Sequence, residues 1–483
     1  MTTRPMSPVD AAWYHMDGPA NLAMVTGVLL TRKRLDFAKV KAVYAARLAR
    51  FDRFRQRVVE RGFPVATPHW EDVPHFDFDA HLHHLALPAP RDHAALCALI
   101  GDLASTPLDR GRPLWQVHVV DGVDGGSALV LRFHHCLGDG TAMMAVCREL
   151  FDETPDAPAP VPPSTRHEEG GVPVVVDLLF EPAFALVERS GAIARAAIEV
   201  TQHPQQVFDR ALAVVAGAGM LVGELFRAPD PASPLKGEFG PAKRVAWSEP
   251  VALADVRAIG APSGAKINDV LVAGMTGALR GYLAQRGVDV DGTTVRAMVP
   301  VDLRPPERAL DLGNEFGLVV LDLAVKGGGP LQRVRATKAR MDALKRSPEP
   351  VAVMALFELL GRGPKPLQDV AVDLFGSKAS VVMTNVAGPR RTQYIAAVPI
   401  RRMMFWVPHP GRQLGMGISI LSYRGYATLA VVADAHLVPD PESITDRFNR
   451  EFAKMLAAVR RRAAGAPQAK TARRAPPSRR RRA

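Results

Sequence analysis

Phe133-His134-His135-Cys136-Leu137-Gly138-Asp139-Gly140 is the stretch on which the reading of this chain turns. An apolar run leads into two adjacent histidines, and a short loop of small residues then presents one carboxylate and a glycine. The preceding residues, Ser127 to His135, are rich in Leu and Val, follow the turn signal Asp124-Gly125-Gly126, and predict a strand. Side chains alternate along a strand, so Leu129, Leu131, Phe133 and His135 share one face while Val130, Arg132 and His134 share the other. His135 therefore ends the more uniformly apolar row. A neutral imidazole at the rim of an apolar surface can take a proton from a hydroxyl, with an unperturbed pKa near ~6.5. Asp139, after a glycine-containing turn, is placed to orient that ring or the loop carrying it. Two other readings stand beside a general base: a metal-ligand pair, or two histidines satisfied within a core. Neighbours on a strand point to opposite faces, which weighs against one ion shared by His134 and His135.

The 483 residues exceed one ordinary core and suggest two or three domains of ~100–200 residues each. With 47% hydrophobic and 23% charged residues the composition is globular. Cys97, Cys136 and Cys147 are widely spaced and odd in number, which argues for a reducing compartment and against a disulfide frame or a cysteine-rich zinc site. No basic segment followed by an apolar run opens the chain, so no secretory signal is read. Ala211 to Phe226 is shorter than the ~20 residues of a membrane span and reads as a buried helix. The net charge of +12 is uneven: Arg460 to Ala483 holds ten basic residues and no acid, leaving +2 for the rest. The basic character thus describes a tail, expected to be disordered, rather than a nucleic-acid-binding fold. Such a tail is attracted to anionic lipid headgroups at roughly ~1 kcal/mol per basic residue.

Along the chain, Ser7-Pro8-Val9-Asp10 has the chemistry of a helix start: a serine cap, a proline at the first helical position and an acid in the first turn. A strand is expected at Met24 to Thr31, a helix at Phe37 to Arg50, another at Asp92 to Ala104, and a strand at Gln116 to Val120. His75 to His84 holds four histidines and two aspartates, but the spacing is not that of a helical metal pair and no second cluster completes a ligand set. Thr141 to Phe151 reads as a helix. Glu153 to Pro173 is rich in Pro and Glu and is the clearest linker, followed by a mostly helical Val174 to Phe226. In the second half, Ile267 to Gln285 reads as a buried helix with Asn268 and Asp269 in its first turn. Strands are expected at Thr294 to Val301, Phe316 to Ala324, Ala379 to Asn385, Met403 to Val407, Met416 to Ser422 and Ala427 to Ala433. Helices are expected at Leu331 to Lys345, Val351 to Leu360 and Pro441 to Arg462. The resulting division is residues 1–152, a connector at 153–243, a second domain at 244–459 and the tail at 460–483, with a mixed α/β (α+β) architecture in both halves.

Further stretches join the opening one: Ser7-Pro8-Val9-Asp10; Pro113-Leu114-Trp115 with Asp121-Gly122; Asn268-Asp269-Val270; Val299-Pro300-Val301-Asp302-Leu303-Arg304; Gly313-Asn314; Asn385-Val386-Ala387-Gly388-Pro389; Ser422-Tyr423-Arg424-Gly425; and Asp434 followed by Val438-Pro439-Asp440. In this order, from Ser7 to about Phe452, the chain resembles the bacterial wax ester synthase/acyl-CoA:diacylglycerol acyltransferase family of the chloramphenicol acetyltransferase-like superfamily. The resemblance implies two acetyltransferase-like α/β domains with mixed sheets and an active-site tunnel between them. It implies acyl transfer from acyl-CoA, as co-substrate and with no cofactor or metal, to a long-chain alcohol or diacylglycerol. The second histidine of its motif, here His135, is the implied base, with His134 in support and Asp139 locking the loop. Gly140 is expected to permit a tight turn and close backbone approach, and Asn268 and Asp269 to support the substrate site or to start their helix. Other classes remain: a relative acting on a different hydroxyl or an amine, and a non-catalytic lipid-binding protein of the same fold. The expected location is cytoplasmic, peripheral at the inner face of the membrane or on lipid droplets through the basic tail, without a specific nucleic-acid partner.

Overall fold

The structure, a computed structural model, describes residues 3–60, 67–157, 228–305, 308, 312–346, 353–354, 365–409 and 413–465. The expected helices at Val174 to Phe226 (with Ala211 to Phe226) and most of Val351 to Leu360 lie outside the described residues, as do most of the linker and the tail beyond Gly465. The first half carries strands β1 (Thr3–Pro5), β2 (Met24–Thr31), β3 (Gln56–Val59), β4 (His69–Asp72), β5 (Leu82–Ala86), β6 (Trp115–Val123) and β7 (Gly126–His134). Its helices are α1 (Pro8–Met16), α2 (Phe37–Arg47), α3 (His93–Ser105) and α4 (Gly140–Leu150). The second half carries β8 (Lys243–Trp247), β9 (Val251–Ala252), β10 (Arg296–Asp302), β11 (Phe316–Asp322), β12 (Val381–Ala387), β13 (Tyr394–Ile395), β14 (Val398–Trp406), β15 (Met416–Tyr423) and β16 (Tyr426–Asp434). With them run α5 (Leu253–Gly260), α6 (Ile267–Gln285), α7 (Pro330–Leu344), α8 (Lys365–Ser377) and α9 (Pro441–Gly465).

Local chemistry sets the helix starts. Ser7 Oγ accepts from the Asp10 N–H at 3.1 Å ahead of Pro8, and Asp36, Asp92 and Asp139 each cap the helix that follows them. α2 ends at Arg47 and tightens into a 3₁₀ turn at Leu48–Arg50, three residues short of the expected end. α5 and α8 were not foreseen, and β14 begins five residues earlier than the expected strand. The last helix continues to Gly465, past the expected start of the tail at Arg460. Its apolar row through Phe448, Phe452, Met455 and Val459 keeps one face on the core up to that point.

Two mixed sheets dominate. One has the order β13-β14-β2-β7-β6-β5, the other β11-β10-β12-β15-β16-β8 with β9 also on β16; β1-β4-β3 form a small third sheet. The first sheet is antiparallel except for β5 on β6, and the second places β10, β12 and β15 parallel. β2 is buried throughout, which is why Met24 to Thr31 reads as an almost unbroken apolar run. One face of the first sheet packs Val28, Leu30, Val120 and Val130 against Leu96 and Ile100 of α3. The second sheet is backed by α6, whose Val270, Met275 and Leu279 are fully buried with Phe448 and Met455 of α9. A strand from late in the chain completes the first sheet: β14 lies antiparallel to β2, from Ile400 opposite Thr31 to Trp406 opposite Thr26. The two halves are therefore interlocked, and a cavity of about 290 Å³ lies between their sheets.

Candidate active site between the two sheets

β7 ends at His134, and His135 opens a 3₁₀ turn, His135–Leu137, one step earlier than the expected strand end. The alternation nevertheless carries through. Leu131, Phe133 and His135 line the cavity, while His134 points away from it and is buried. His134 Nδ1 accepts the Cys136 N–H at 3.2 Å, which leaves the proton of the neutral ring on Nε2, 3.8 Å from Asp17 Oδ2. His134 therefore fastens the turn. Burial lowers its pKa to about 4.

His135 is held from three sides. Trp13 of α1 stacks on the imidazole at 3.9 Å between ring centroids, with 15° between planes, and Phe316 of β11 meets it edge-on at 6.0 Å. Its carbonyl accepts the Asn314 Nδ2–H at 2.9 Å. Burial pushes the ring's pKa down to about 4, opposed by Asp139, its own carbonyl, Asn314 and Asp10. Around neutral pH the ring is thus unprotonated, the state a base requires.

Asp139 is a joint between the halves. Its Oδ1 caps α4 through the Ala142 N–H at 3.0 Å, and its carboxylate takes a two-pronged contact from Arg304, 3.1 and 2.9 Å, with the Glu315 N–H adding 3.0 Å. Arg304 also donates to the Gly313 carbonyl at 2.8 Å, and that carbonyl accepts the Asp139 N–H at 3.1 Å. Gly313 has φ +118°, a conformation in which a side chain is strained, so the turn that meets the histidine loop needs a glycine there. Gly140 does not have this need. Its φ is not left-handed, and an added Cβ would meet only Val386 Cγ2 at 3.5 Å, so the expected tight turn is not located at Gly140.

A second buried group braces the same loop. Asp10 accepts from Arg53 at 2.9 Å and from the Asn314 backbone and side chain at 3.1 and 2.7 Å. Arg53 reaches on to the Cys136 and Leu137 carbonyls at 3.4 and 3.3 Å. Sequence reading placed Asp10, Arg304 and Asn314 in stretches that carry the family resemblance but gave none of them a part at the site, and it missed Trp13 and Arg53 altogether. The available signal was the helix-start pattern around Asp10, which implies an acid but not its burial. Asp269 closes its own helix start by accepting the Lys266 N–H at 2.8 Å, whereas Asn268 is hydrogen-bonded to Asn385, which lines the cavity. The polar lining gathers around the start of α4, at His135, Asp139 and Thr141, with Asp302 taking the Thr141 hydroxyl at 2.7 Å. Met16, Val25, Leu131, Met403 and Phe405 are among the residues that make the rest apolar.

The histidine-rich segment disperses. His81 Nδ1 lies 2.8 Å from the Trp115 carbonyl, His83 stacks on His118, and His84 pairs with Asp121 at 2.8 Å. Among the described residues no group of three or more His, Cys, Asp or Glu could hold a metal ion, and no helix is long and apolar enough to cross a membrane.

Residues 6–271 match the family model of the wax ester synthase/diacylglycerol acyltransferase catalytic domain, and residues 312–456 match that of the C-terminal domain of the same enzymes. The chain belongs to this family. It is 30% identical over 434 residues to a probable diacylglycerol O-acyltransferase, tgs1, of Mycobacterium tuberculosis, covering 86% of this chain and 88% of that one. It is similarly 30% identical to a putative diacylglycerol O-acyltransferase of Mycobacterium bovis, with the same coverage. In fold it is similar to the wax ester synthase/diacylglycerol acyltransferase from Marinobacter aquaeolei VT8, with a TM-score of 0.67 and 20% identity over 94% of this chain and 99% of that one. The first condensation domain of the calcium-dependent antibiotic synthetase shares the fold at a TM-score of 0.59 and 16% identity, covering 94% and 96%. The expected fold and family both hold.

Proposed function

We propose that this O-acyltransferase moves a fatty acyl group directly from acyl-CoA to the hydroxyl of a diacylglycerol or long-chain alcohol, with His135 as the general base. The observation that carries the reading is an imidazole, kept unprotonated by burial, at a polar part of an otherwise apolar cavity lined by both halves of the chain. His135 takes the proton of the acceptor hydroxyl as that oxygen attacks the thioester carbonyl. When the tetrahedral intermediate collapses, the carbon–sulfur bond breaks and the imidazolium returns the proton to the CoA sulfur, so the enzyme ends as it began. The apolar walls suit two alkyl chains and keep water, the competing acceptor, away from the thioester. Direct transfer is supported by the thiols nearby. Burial pushes Cys147, which lines the cavity, up to about 12 and Cys136 well above its ordinary value, so neither supplies a thiolate for an acyl-enzyme. Asp139 and Arg304 act by positioning, since their charges are spent on one another.

The ten basic residues between Arg460 and Ala483 support a peripheral contact with anionic lipid on the cytoplasmic face or on a lipid droplet. The test of the reaction is CoA release from palmitoyl-CoA with hexadecanol, with a diacylglycerol, and with no acceptor. Release should require one of the two hydroxyl acceptors. No release with either by folded protein refutes the assignment, and in that case release in added arms with an amine or a different alcohol class transfers it to another acceptor.

A further inference from the structure

The central strand of the first sheet has an unexplained glycine. Gly27 lies midway along β2, paired on both sides, opposite Leu131 of β7 and Phe405 of β14. Glycine weakens a strand interior and is ordinarily kept there for a left-handed φ or for close approach of another backbone. Neither holds. The φ of Gly27 is not positive, and a Cβ built on it would meet nothing nearer than Leu131 Cδ1 at 3.4 Å, an ordinary contact, with the Met404 carbonyl at 4.0 Å. What the missing side chain does leave is backbone facing the cavity, which Gly27 itself lines beside the Leu131 side chain. Val25 and Leu29, two residues to either side and so on the same face, line the cavity together with Leu131 and Phe405. Gly27 is a notch in a floor otherwise paved with large apolar side chains. Leu131 stands four residues before His135 on the same face, so the notch lies about 13 Å from the base along the strand.

We propose that Gly27 sets the length of the alkyl chain this enzyme accepts, by leaving open the part of the cavity floor that a long chain crosses after its reacting end has reached His135. The proposal rests on the acyl-transfer reading above. The chemistry recognised is a saturated hydrocarbon chain, whether the acyl group of the donor or the alkyl group of the acceptor, and the experiment separates the two.

Gly27→Ala and Gly27→Val are compared with the unchanged enzyme, valine being well suited to a strand. One arm measures kcat/KM for octanoyl-CoA and palmitoyl-CoA with hexadecanol fixed; the other measures octanol and hexadecanol with palmitoyl-CoA fixed. In one arm the long-to-short ratio should fall by about tenfold or more in Gly27→Val, the scale of discrimination an apolar pocket achieves, with Gly27→Ala between the two. The arm that moves identifies the chain that passes the notch. Thermal stabilisation by the same acyl-CoAs and alcohols, measured without turnover, should show the same loss for the long ligands. Unchanged ratios and unchanged stabilisation profiles overturn the proposal. Absence of turnover in the unchanged enzyme overturns the transfer reading instead, and the stabilisation profiles still decide the role of Gly27. Should Gly27→Val not fold, Gly27→Ala and Gly27→Ser carry the comparison.

Discussion

His134 and His135 are neighbours in sequence with unequal work, and the difference comes from a single alternation step. His135 looks into the cavity under Trp13, whereas His134 accepts a backbone N–H and faces Asp17. His135→Ala should lower turnover by the ~10²–10⁴ that loss of a general base causes, and His134→Ala should lower it less while reducing thermal stability. Steady-state CoA release and melting temperature measure both, and the reverse order of activities would refute the facing assignment. The pH dependence follows from the direction of the shift. The folded pKa lies below the ordinary ~6.5 because burial disfavours the imidazolium. The proposed base therefore stays unprotonated as pH falls through 6.5, and kcat/KM should decline only on approach to about 4. An acid limb centred near 6.5 would show that the ring is far better solvated than its place between Trp13 and Phe316 implies.

At the scale of elements, the start of α4 and the loop after β10 are bound to each other through Asp139 and Arg304. Both side chains are nearly inaccessible, 9% and 1% exposed, so their attraction is not screened as it would be at the surface. Arg304→Met removes the cation and leaves a buried carboxylate with only backbone N–H partners, the circumstance in which breaking an ion pair costs ~3–5 kcal/mol. Denaturant unfolding should register a loss of that order, with turnover reduced because the His135 turn loses its brace. A variant as stable as the parent would mean that Asp139 is satisfied without Arg304. This joint also shows what could be read locally. The cap on α4 follows from Asp139 standing before Gly140 and an amphipathic run, but its cation is 165 residues away and no periodicity points to it. Asp10 is similar: its helix start was legible, and its partner Asn314 lies 304 residues on.

For the whole molecule, the interlock through β14 makes the two sheets one working unit, with the cavity walled by both. The basic residues gathered at 460–483 stand apart from that unit in sequence, and Arg460 to Arg462 lie near the end of the last helix, which runs to Gly465. Truncation after Gly465 should weaken sedimentation with anionic vesicles, most clearly at low salt. Release of CoA with water-dispersed short substrates should persist. Equal vesicle binding by the truncated and full chains would remove the tail from membrane attachment.

What the amino-acid order determined by itself is the set of features that depend on near neighbours. They include the period-2 row ending at His135, the capped start of α1 before Asp10, the buried helix at Ile267 to Gln285, and an acid kept close behind two histidines. These are local because strand alternation and capping act over one to four residues. Tertiary structure alone decided which strand completes the first sheet, which arginine answers Asp139, which tryptophan covers His135, and that the gap left by Gly27 opens into a cavity. Each of these pairs groups that are distant along the chain, and only the closing of one half on the other brings a buried charge to its counter-charge and an empty strand position to the space it leaves.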